Sequence, residues 1–219
     1  MSNAISRFFW HSKRRWLYGL LSVITAFTIS IGTPQTAQAI SWLELLFRGV
    51  HIFQLSNLSA KQEVELGDQI HQQLVNNQID LYRGDQINNY VDRIGQRLAQ
   101  YSTRPNIPYK FYVVRDDSIN AFATMGGNVY MNTGLIKAAD NEAQLASVVA
   151  HEIAHIDERH AVEQMRQRAL AQGVLSAAGL DESTAVQIGV ELALQRPNSR
   201  EDEIEADQRG LEMLRAAGY

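Results

Sequence analysis

The sequence predicts an α+β fold that is mainly helical, with a small β-sheet or hairpin beside one long helix. Apolar residues recur at helical spacing in residues 59–78, 85–101 and 141–172. Residues 109–132 are instead rich in β-forming residues and alternate in polarity. The chain has 219 residues and no Cys, so its length fits one domain with an extension. Disulfide bonds and thiolate metal ligands are excluded.

The N-terminus is typical of a secretory signal peptide. Residues 16–31 are apolar and uncharged, and they lie between four basic residues and a small-residue cleavage site, Ala37-Gln38-Ala39. Residues 1–39 are therefore predicted to be a signal peptide. It would direct export across the inner membrane, to the periplasm or a membrane surface, and it argues against the cytoplasm. An uncleaved signal anchor is the alternative.

The charge of the chain argues against nucleic acid as a partner. The net charge is −4, and removal of the basic signal segment would make the mature chain more acidic still. Residues 40–58 are apolar and aromatic, and we predict an N-terminal helix there. Packing on the domain is favoured, because the polar face lacks the Lys and Arg enrichment of membrane-surface helices. Peripheral membrane contact is the alternative.

Local signals place the remaining elements in order. Ser59 caps the helix at 59–78, a second helix follows at 85–101, and the Pro-containing residues 104–108 form a loop. Residues 109–115 form a strand. Two further strands, 120–125 and 128–132, are joined by the hairpin turn Gly126-Gly127.

The C-terminal third is predicted to be helical. Asp140 or Asn141 caps the helix at 141–172, which no Gly or Pro interrupts. The Ala-rich residues 173–195 are predicted to form short helices or a mobile lid, and ordinary core packing is the alternative. Ser199 begins the last helix, with Asp202 completing a capping-box pattern.

The most informative motif is His151-Glu152-Ile153-Ala154-His155. Residues four apart lie on one face of a helix, so the two imidazoles can share one zinc ion (Zn²⁺). Glu152 between them can reach the metal-bound water as a general base. The apolar stripe of the same helix predicts that the motif is buried and rigid. The alternative is two histidines on an ordinary amphipathic helix.

Zinc held by two histidines needs a third protein ligand. The third histidine of the metzincin spacing is absent, since Glu158 and Ala161 stand where Gly and His are needed. The acidic residues 201–207 offer candidates: Glu203 and Asp207 share one helix face, and Glu201 and Glu205 share another. Spacing alone leaves the choice open, and a solvated acidic face is the alternative. Glu158, one turn beyond His155, is a further candidate.

Several motifs in order resemble a known family. They are Asn120-Ala121-Phe122-Ala123 with Gly126-Gly127, Thr133-Gly134-Leu135, the His151–His155 motif followed by Arg159-His160, and Ser199-Arg200-x-x-Glu203-x-Glu205-Ala206-Asp207. Together they resemble metallopeptidase family forty-eight, the gluzincins that include HtpX, BepA, Oma-like and CAAX prenyl proteases. The secreted or periplasmic BepA-like members are the most similar. The resemblance implies a zincin-like domain at residues 59–219. Because family members usually continue further, we expect a C-terminally truncated or short member, and the usual downstream transition-state stabiliser cannot be assigned.

The resemblance also implies roles for individual residues. His151, His155 and Glu203 would bind zinc, Glu152 would be the general base, and Asp207 would orient a ligand histidine. His160 belongs to the motif, but five residues along a continuous helix is about 140° of rotation. That rotation excludes it as a partner of His155 at the metal, so we expect it to cap, to pack or to join a hydrogen-bond network.

The predicted function is zinc-dependent endopeptidase activity. Glu152 would take a proton from the zinc-bound water and deliver it to the leaving amine. An extended substrate would add as a strand beside Asn120, Ala121, Phe122 and Ala123. Such pairing favours unfolded segments, and the family resemblance implies quality control of envelope proteins. The alternative is a zinc-containing, chaperone-like binding module without turnover, whose residues 40–58 and 173–195 hold clients.

Overall fold

A small sheet lies between two groups of helices in the computed structural model, which describes residues 52–53, 55–174, 179–195 and 198–219. The helices are α1 (Ala60–Asn77), α2 (Asp85–Ala99), α3 (Thr133–Ala138), α4 (Glu142–Asp157), α5 (His160–Ala171), α6 (Glu182–Gln195) and α7 (Arg200–Ala217). The strands are β1 (Ile52–Phe53), β2 (Lys110–Val114), β3 (Ala121–Thr124), β4 (Asn128–Asn132) and β5 (Leu180–Asp181), and 3₁₀ turns span Leu55–Asn57 and Met125–Gly127. The predicted α+β class is confirmed.

The main sheet has three strands in the order β2-β4-β3. β2 runs parallel to β4, with Phe111 opposite Val129. β3 runs antiparallel to β4, with Phe122 opposite Tyr130, and the predicted hairpin is present. All five residues of β4 are buried, which is what the central strand of a covered sheet requires.

Alternation along the strands divides the core into two parts. One face of the sheet presents Phe111, Val113, Val129 and Met131 to a cluster that includes the apolar residues of α2, α4 and α7. The other face presents Val114, Phe122 and Tyr130 to a cluster built from α1, α5 and α6. Helix α4, which carries the two histidines of the motif, lies against the sheet and is buried along most of its length.

Helix starts follow the predicted caps. The Ser59 hydroxyl accepts a hydrogen bond from the Gln62 amide, and Ser199 does the same for Asp202, and both are complete capping boxes. Asn141 caps α4 by accepting from the Gln144 amide at 3.0 Å. Within the part of the chain that the structure describes, no helix is both long and apolar enough to cross a bilayer.

The predicted N-terminal helix at 40–58 is wrong at its C-terminal end. Ile52–Phe53 forms a strand that pairs antiparallel with Leu180–Asp181, and Leu55–Asn57 forms a 3₁₀ turn. A β-branched residue followed by an aromatic one suits a strand, and pairing with β5 satisfies its backbone. The signal segment 1–39 and residues 40–51 lie outside the described residues, so those predictions and the domain boundaries stay predictions.

The interpretation of residues 173–195 as short helices is also corrected. Residues 182–195 form one helix, α6, whose buried side includes Ala185, Ile188 and Leu192. These side chains belong to the core cluster on the α1 side of the sheet. The core-packing alternative therefore describes α6, while residues 175–178 lie outside the described part of the chain.

The expected uninterrupted helix at 141–172 is wrong. Helix α4 ends at Asp157 and α5 begins at His160, because Arg159 adopts a left-handed conformation with φ 61° and ψ 28°. Tertiary contacts stabilise this uncommon conformation. The Arg159 guanidinium donates to the Leu58 carbonyl at 2.9 Å and lies 3.3 Å from Glu63, which is 1% exposed.

Candidate metal centre

Close packing of α7 on α4 brings the acidic motif to the histidine pair. Glu203, Ala206 and Gly210 lie at helical spacing on one stripe of α7, and Ala206 is fully buried. A Cβ at Gly210 would lie 3.2 Å from the backbone nitrogen of His151. Small residues on this stripe therefore let the two backbones approach, so that the Glu203 side chain reaches the imidazoles.

Three side chains converge with the spacing that a zinc ion needs. The Nε2 atoms of His151 and His155 are 3.0 Å apart. Glu203 carboxylate oxygens lie 3.4 Å from His151 Nε2 and 3.7 Å from His155 Nε2. Ligand atoms around tetrahedral zinc, at about 2.0–2.1 Å from the metal, are about 3.3 Å apart. Among the described residues, this is the group of three that could hold a metal ion, and its chemistry and spacing fit zinc.

His151 is oriented by a carboxylate on α7. Its Nδ1 lies 2.9 Å from Asp207 Oδ1. An ionised carboxylate only accepts hydrogen bonds, so His151 carries its proton on Nδ1 and presents a lone pair at Nε2. That lone pair points toward His155 and Glu203, so electron-rich atoms converge there and could bind a cation.

His155 contacts a second imidazole. Its Nδ1 lies 2.8 Å from Nδ1 of His160, and Nε2 of His160 lies 3.2 Å from Glu205 Oε2. The break at Arg159 makes this contact possible, because it turns the first residue of α5 back toward the end of α4. The prediction that 140° of rotation separates the two rings fails, since it assumed a continuous helix. Neither His160 nitrogen belongs to the converging group of ligand atoms.

Burial keeps His155 in the form that binds metal. Desolvation lowers the pKa of His155 to about 4, and the neighbouring His151 and His160 act in the same direction while Glu203 opposes them. The imidazole is therefore neutral at neutral pH. Neutral imidazole is the form that ligates zinc.

Asn198 is a site residue that the sequence prediction missed. Its amide nitrogen donates to Glu203 Oε1 at 2.6 Å and lies 3.4 Å from His155 Nε2. Its own carbonyl oxygen accepts from Gln164 on α5 at 2.7 Å. The available signal was its position directly before the Ser199 cap, beside the first turn that carries Glu203.

A cavity of about 480 Å³ opens beside these groups. Residues 120–125, at the edge of the sheet, line it together with the buried Glu152. Apolar side chains of α1, β3 and α6 complete it, among them Ile70, Phe122 and Leu192. The structure thus brings the predicted substrate strand, the predicted base and the candidate ligands to one cleft. Glu158 is exposed at the end of α4, outside the candidate metal group.

Comparison with known proteins identifies the family. The family model for Peptidase family M48 matches residues 85–219. The beta-barrel assembly-enhancing protease of Escherichia coli (strain K12) is 33% identical over 178 residues, which cover 75% of this chain and 36% of the relative. The mitochondrial metalloendopeptidase OMA1 of Schizosaccharomyces pombe is 36% identical over 133 residues, or 59% of this chain and 40% of that protein.

A shorter match links the chain to a third relative. The protease HtpX homolog of Acidiphilium cryptum is 46% identical over 68 residues, or 29% of this chain and 22% of the homolog. The chain therefore spans well under half the length of the relatives it matches. It belongs to peptidase family M48, which confirms the family resemblance inferred from the motifs.

Proposed function

We propose that this member of peptidase family M48 is a zinc-dependent endopeptidase. One observation carries the proposal: two imidazole nitrogens and the Glu203 carboxylate converge beside a buried glutamate, Glu152, in a cleft edged by a strand. Convergent lone pairs of this kind are electrostatically costly without a cation. A glutamate adjoining them is placed for proton transfer rather than for a salt bridge on the surface.

Three residues would hold the metal. His151 and His155 supply ring nitrogens, Glu203 supplies an oxygen, and Asp207 orients His151 through its Nδ1. When bound there, zinc acts as a Lewis acid that polarises the scissile carbonyl and lowers the pKa of water. Three protein ligands are the number found in catalytic zinc sites, which keep one position open.

Glu152 would move the proton. It lies between the two histidines in the sequence, is buried, and lines the cleft. In this role its carboxylate accepts a proton from the attacking water and passes it to the leaving amine, a contribution of about 10²–10⁴ in rate. The bond that forms joins the water oxygen to the carbonyl carbon, and the bond that breaks is the peptide C–N bond.

The edge of the sheet would bind the substrate. Asn120, Ala121, Phe122 and Ala123 line the cleft at β3, the edge strand of the three-stranded sheet. An extended peptide that adds to this edge gains main-chain hydrogen bonds whatever its sequence. Unfolded segments offer such a backbone and folded proteins do not, so the proposed substrates are unfolded or misfolded proteins.

The proposed setting is the cell envelope. The relative from Escherichia coli is named for an effect on β-barrel assembly, and residues 1–39 of this chain carry the features of an export signal. We infer that the substrates are envelope proteins met after export, in the periplasm or at a membrane surface. Contact of residues 40–58 with that surface is the alternative to their packing on the domain.

A digestion assay tests the proposal. The full chain is incubated with casein, an unfolded substrate, with and without a chelator, beside Glu152→Gln and Glu158→Gln. We expect chelator-sensitive cleavage that Glu152→Gln reduces by about 10²-fold or more while its zinc content stays that of the unaltered chain. Glu158→Gln, a change at the exposed end of the same helix, should cleave normally.

Two outcomes would contradict the proposal. Cleavage retained by Glu152→Gln would remove the proton-transfer role from this residue. Stoichiometric zinc with casein bound but never cleaved would favour the other candidate, a chaperone-like binding module that keeps the metal as structure.

A further inference from the structure

We infer that Glu205 is a positioning residue that acts through His160 to fix the tautomer of His155. The inference rests on the proposed zinc site. Glu205 does not belong to the converging group of candidate metal ligands among the described residues. Its carboxylate lies 3.2 Å from Nε2 of His160, whose Nδ1 lies 2.8 Å from Nδ1 of His155.

The direction of this chain of hydrogen bonds follows from its carboxylate end. A carboxylate can only accept, so an imidazole at His160 that holds one proton carries it on Nε2, the nitrogen that faces Glu205. The Nδ1 of His160 is then a lone pair and accepts from the Nδ1–H of His155. His155 is left with its lone pair on Nε2, directed at His151 and Glu203.

Without Glu205, the opposite tautomers are also consistent with the ring contacts. His160 could carry its proton on Nδ1 and donate it to His155. The His155 proton would then stand on Nε2 and point at the lone pair of His151, in the space where a metal would bind. The His160 side chain is only 7% exposed, so protein contacts rather than bulk water select between the two states.

The two ligand histidines are therefore oriented in different ways. His151 reaches its carboxylate directly, through Asp207, whereas His155 reaches one through an inserted imidazole. The insertion depends on the left-handed Arg159, which places His160 beside the end of α4. Three acidic residues of α7 thus have different partners. Glu203 faces the metal position, Glu205 contacts His160, and Asp207 contacts His151.

Zinc affinity measured without any substrate tests the inference. The dissociation constant of the full chain is obtained by competition with a chromophoric chelator, for Glu205→Ala, His160→Phe and the double variant. We expect each single change to weaken zinc binding about 10- to 100-fold. The double variant should bind no more weakly than His160→Phe alone, because Glu205 acts through His160. His160→Gln, which keeps an acceptor for His155, should recover part of the loss.

Two further variants set the controls. Glu201→Ala removes an exposed carboxylate from the same helix, and its affinity should be unchanged. Asp207→Ala acts on the other histidine. When it is combined with Glu205→Ala, the two fold-losses in zinc affinity should therefore multiply. Thermal unfolding of each zinc-free variant separates a lost contact from a lost fold.

Two results would overturn the inference. The first is an unaltered zinc affinity in Glu205→Ala. Because the Glu205 side chain is 60% exposed, this variant should fold even if His160→Phe does not, and its affinity then decides the question alone. A double variant whose loss is the product of the single losses is the second. Neither depends on peptidase activity, so a chain that binds zinc without cleaving would disprove the proposed function and leave this inference intact.

Discussion

The two walls of the cleft differ in the chemistry of the groups that line them. One wall, formed by α4 and α7 and called here the metal wall, consists of polar groups that face one another: two histidines, Glu203, Asp207 and the buried Glu152. The other, formed by β3 and α6 and called here the substrate wall, offers a backbone edge and apolar side chains such as Phe122 and Leu192. The proposed metal binding and the proposed substrate binding thus depend on separate elements.

Each wall depends on one closely packed glycine. Gly210 of α7 lets the metal wall form, because a side chain there would press on the backbone of α4 near His151. Gly67 of α1 supports the substrate wall, because a Cβ there would overlap the carbonyl oxygen of Met125, at the end of β3. Substitutions at these two glycines should therefore disturb one wall at a time.

Glu203→Ala should have the largest effect, and only on the metal wall. Loss of a direct ligand should lower zinc affinity by more than the roughly 100-fold cost of removing an orienting partner. Chelator competition measures it. The zinc-free chain should unfold at an unchanged temperature, since the Glu203 side chain is 46% exposed. Full zinc occupancy in this variant would disprove the ligand assignment, and Glu201→Ala is the matched control.

Local patterns predicted most of the scaffold. Helix α1 spans Ala60–Asn77 against a predicted 59–78, and the hairpin of β3 and β4 lies where alternation placed it. Both depend on contacts between residues near in sequence, namely capping and the period of apolar residues. The approach of the His151 and His155 nitrogens was predicted for the same reason, since one helical turn separates them.

Tertiary contacts decided what the sequence left open. The break at Arg159 has no Gly or Pro to mark it, because its cause is the distant Glu63 and the Leu58 carbonyl. The helix faces of α7 could not be ranked by spacing, and family resemblance alone selected Glu203. In the structure, both faces of α7 contact histidines of the site. Glu203 and Asp207 face His151 and His155, while Glu205 contacts His160. That third role required the break that the sequence did not show.

Gly67→Ala should disturb the substrate wall with a moderate cost. The added methyl group meets backbone rather than a flexible side chain, so α1 or the Met125–Gly127 turn must move. Overpacking costs about 1–3 kcal/mol, against a gain in helix propensity of about 1 kcal/mol. We expect a lower free energy of unfolding in urea and a raised KM for casein, with zinc affinity within about twofold of the unaltered chain, a change well under 1.4 kcal/mol. Gln72→Ala, an exposed change on the same helix, should alter none of the three.

Gly210→Ala should affect stability less than Gly67→Ala does, and it should have the opposite selectivity. Its Cβ would lie 3.2 Å from the His151 nitrogen and 3.3 Å from the Ala150 carbonyl carbon, so α7 need shift only slightly. The gain in helix propensity offsets the crowding, and the free energy of unfolding should change by less than about 1 kcal/mol. Zinc affinity should nevertheless fall a few-fold, because the shift carries Glu203 away from the imidazoles. Gln208→Ala, on the exposed side of α7, is the control. If Gly67→Ala weakened zinc binding more than Gly210→Ala does, metal and substrate binding would share one support, and the separation of the two walls would be wrong.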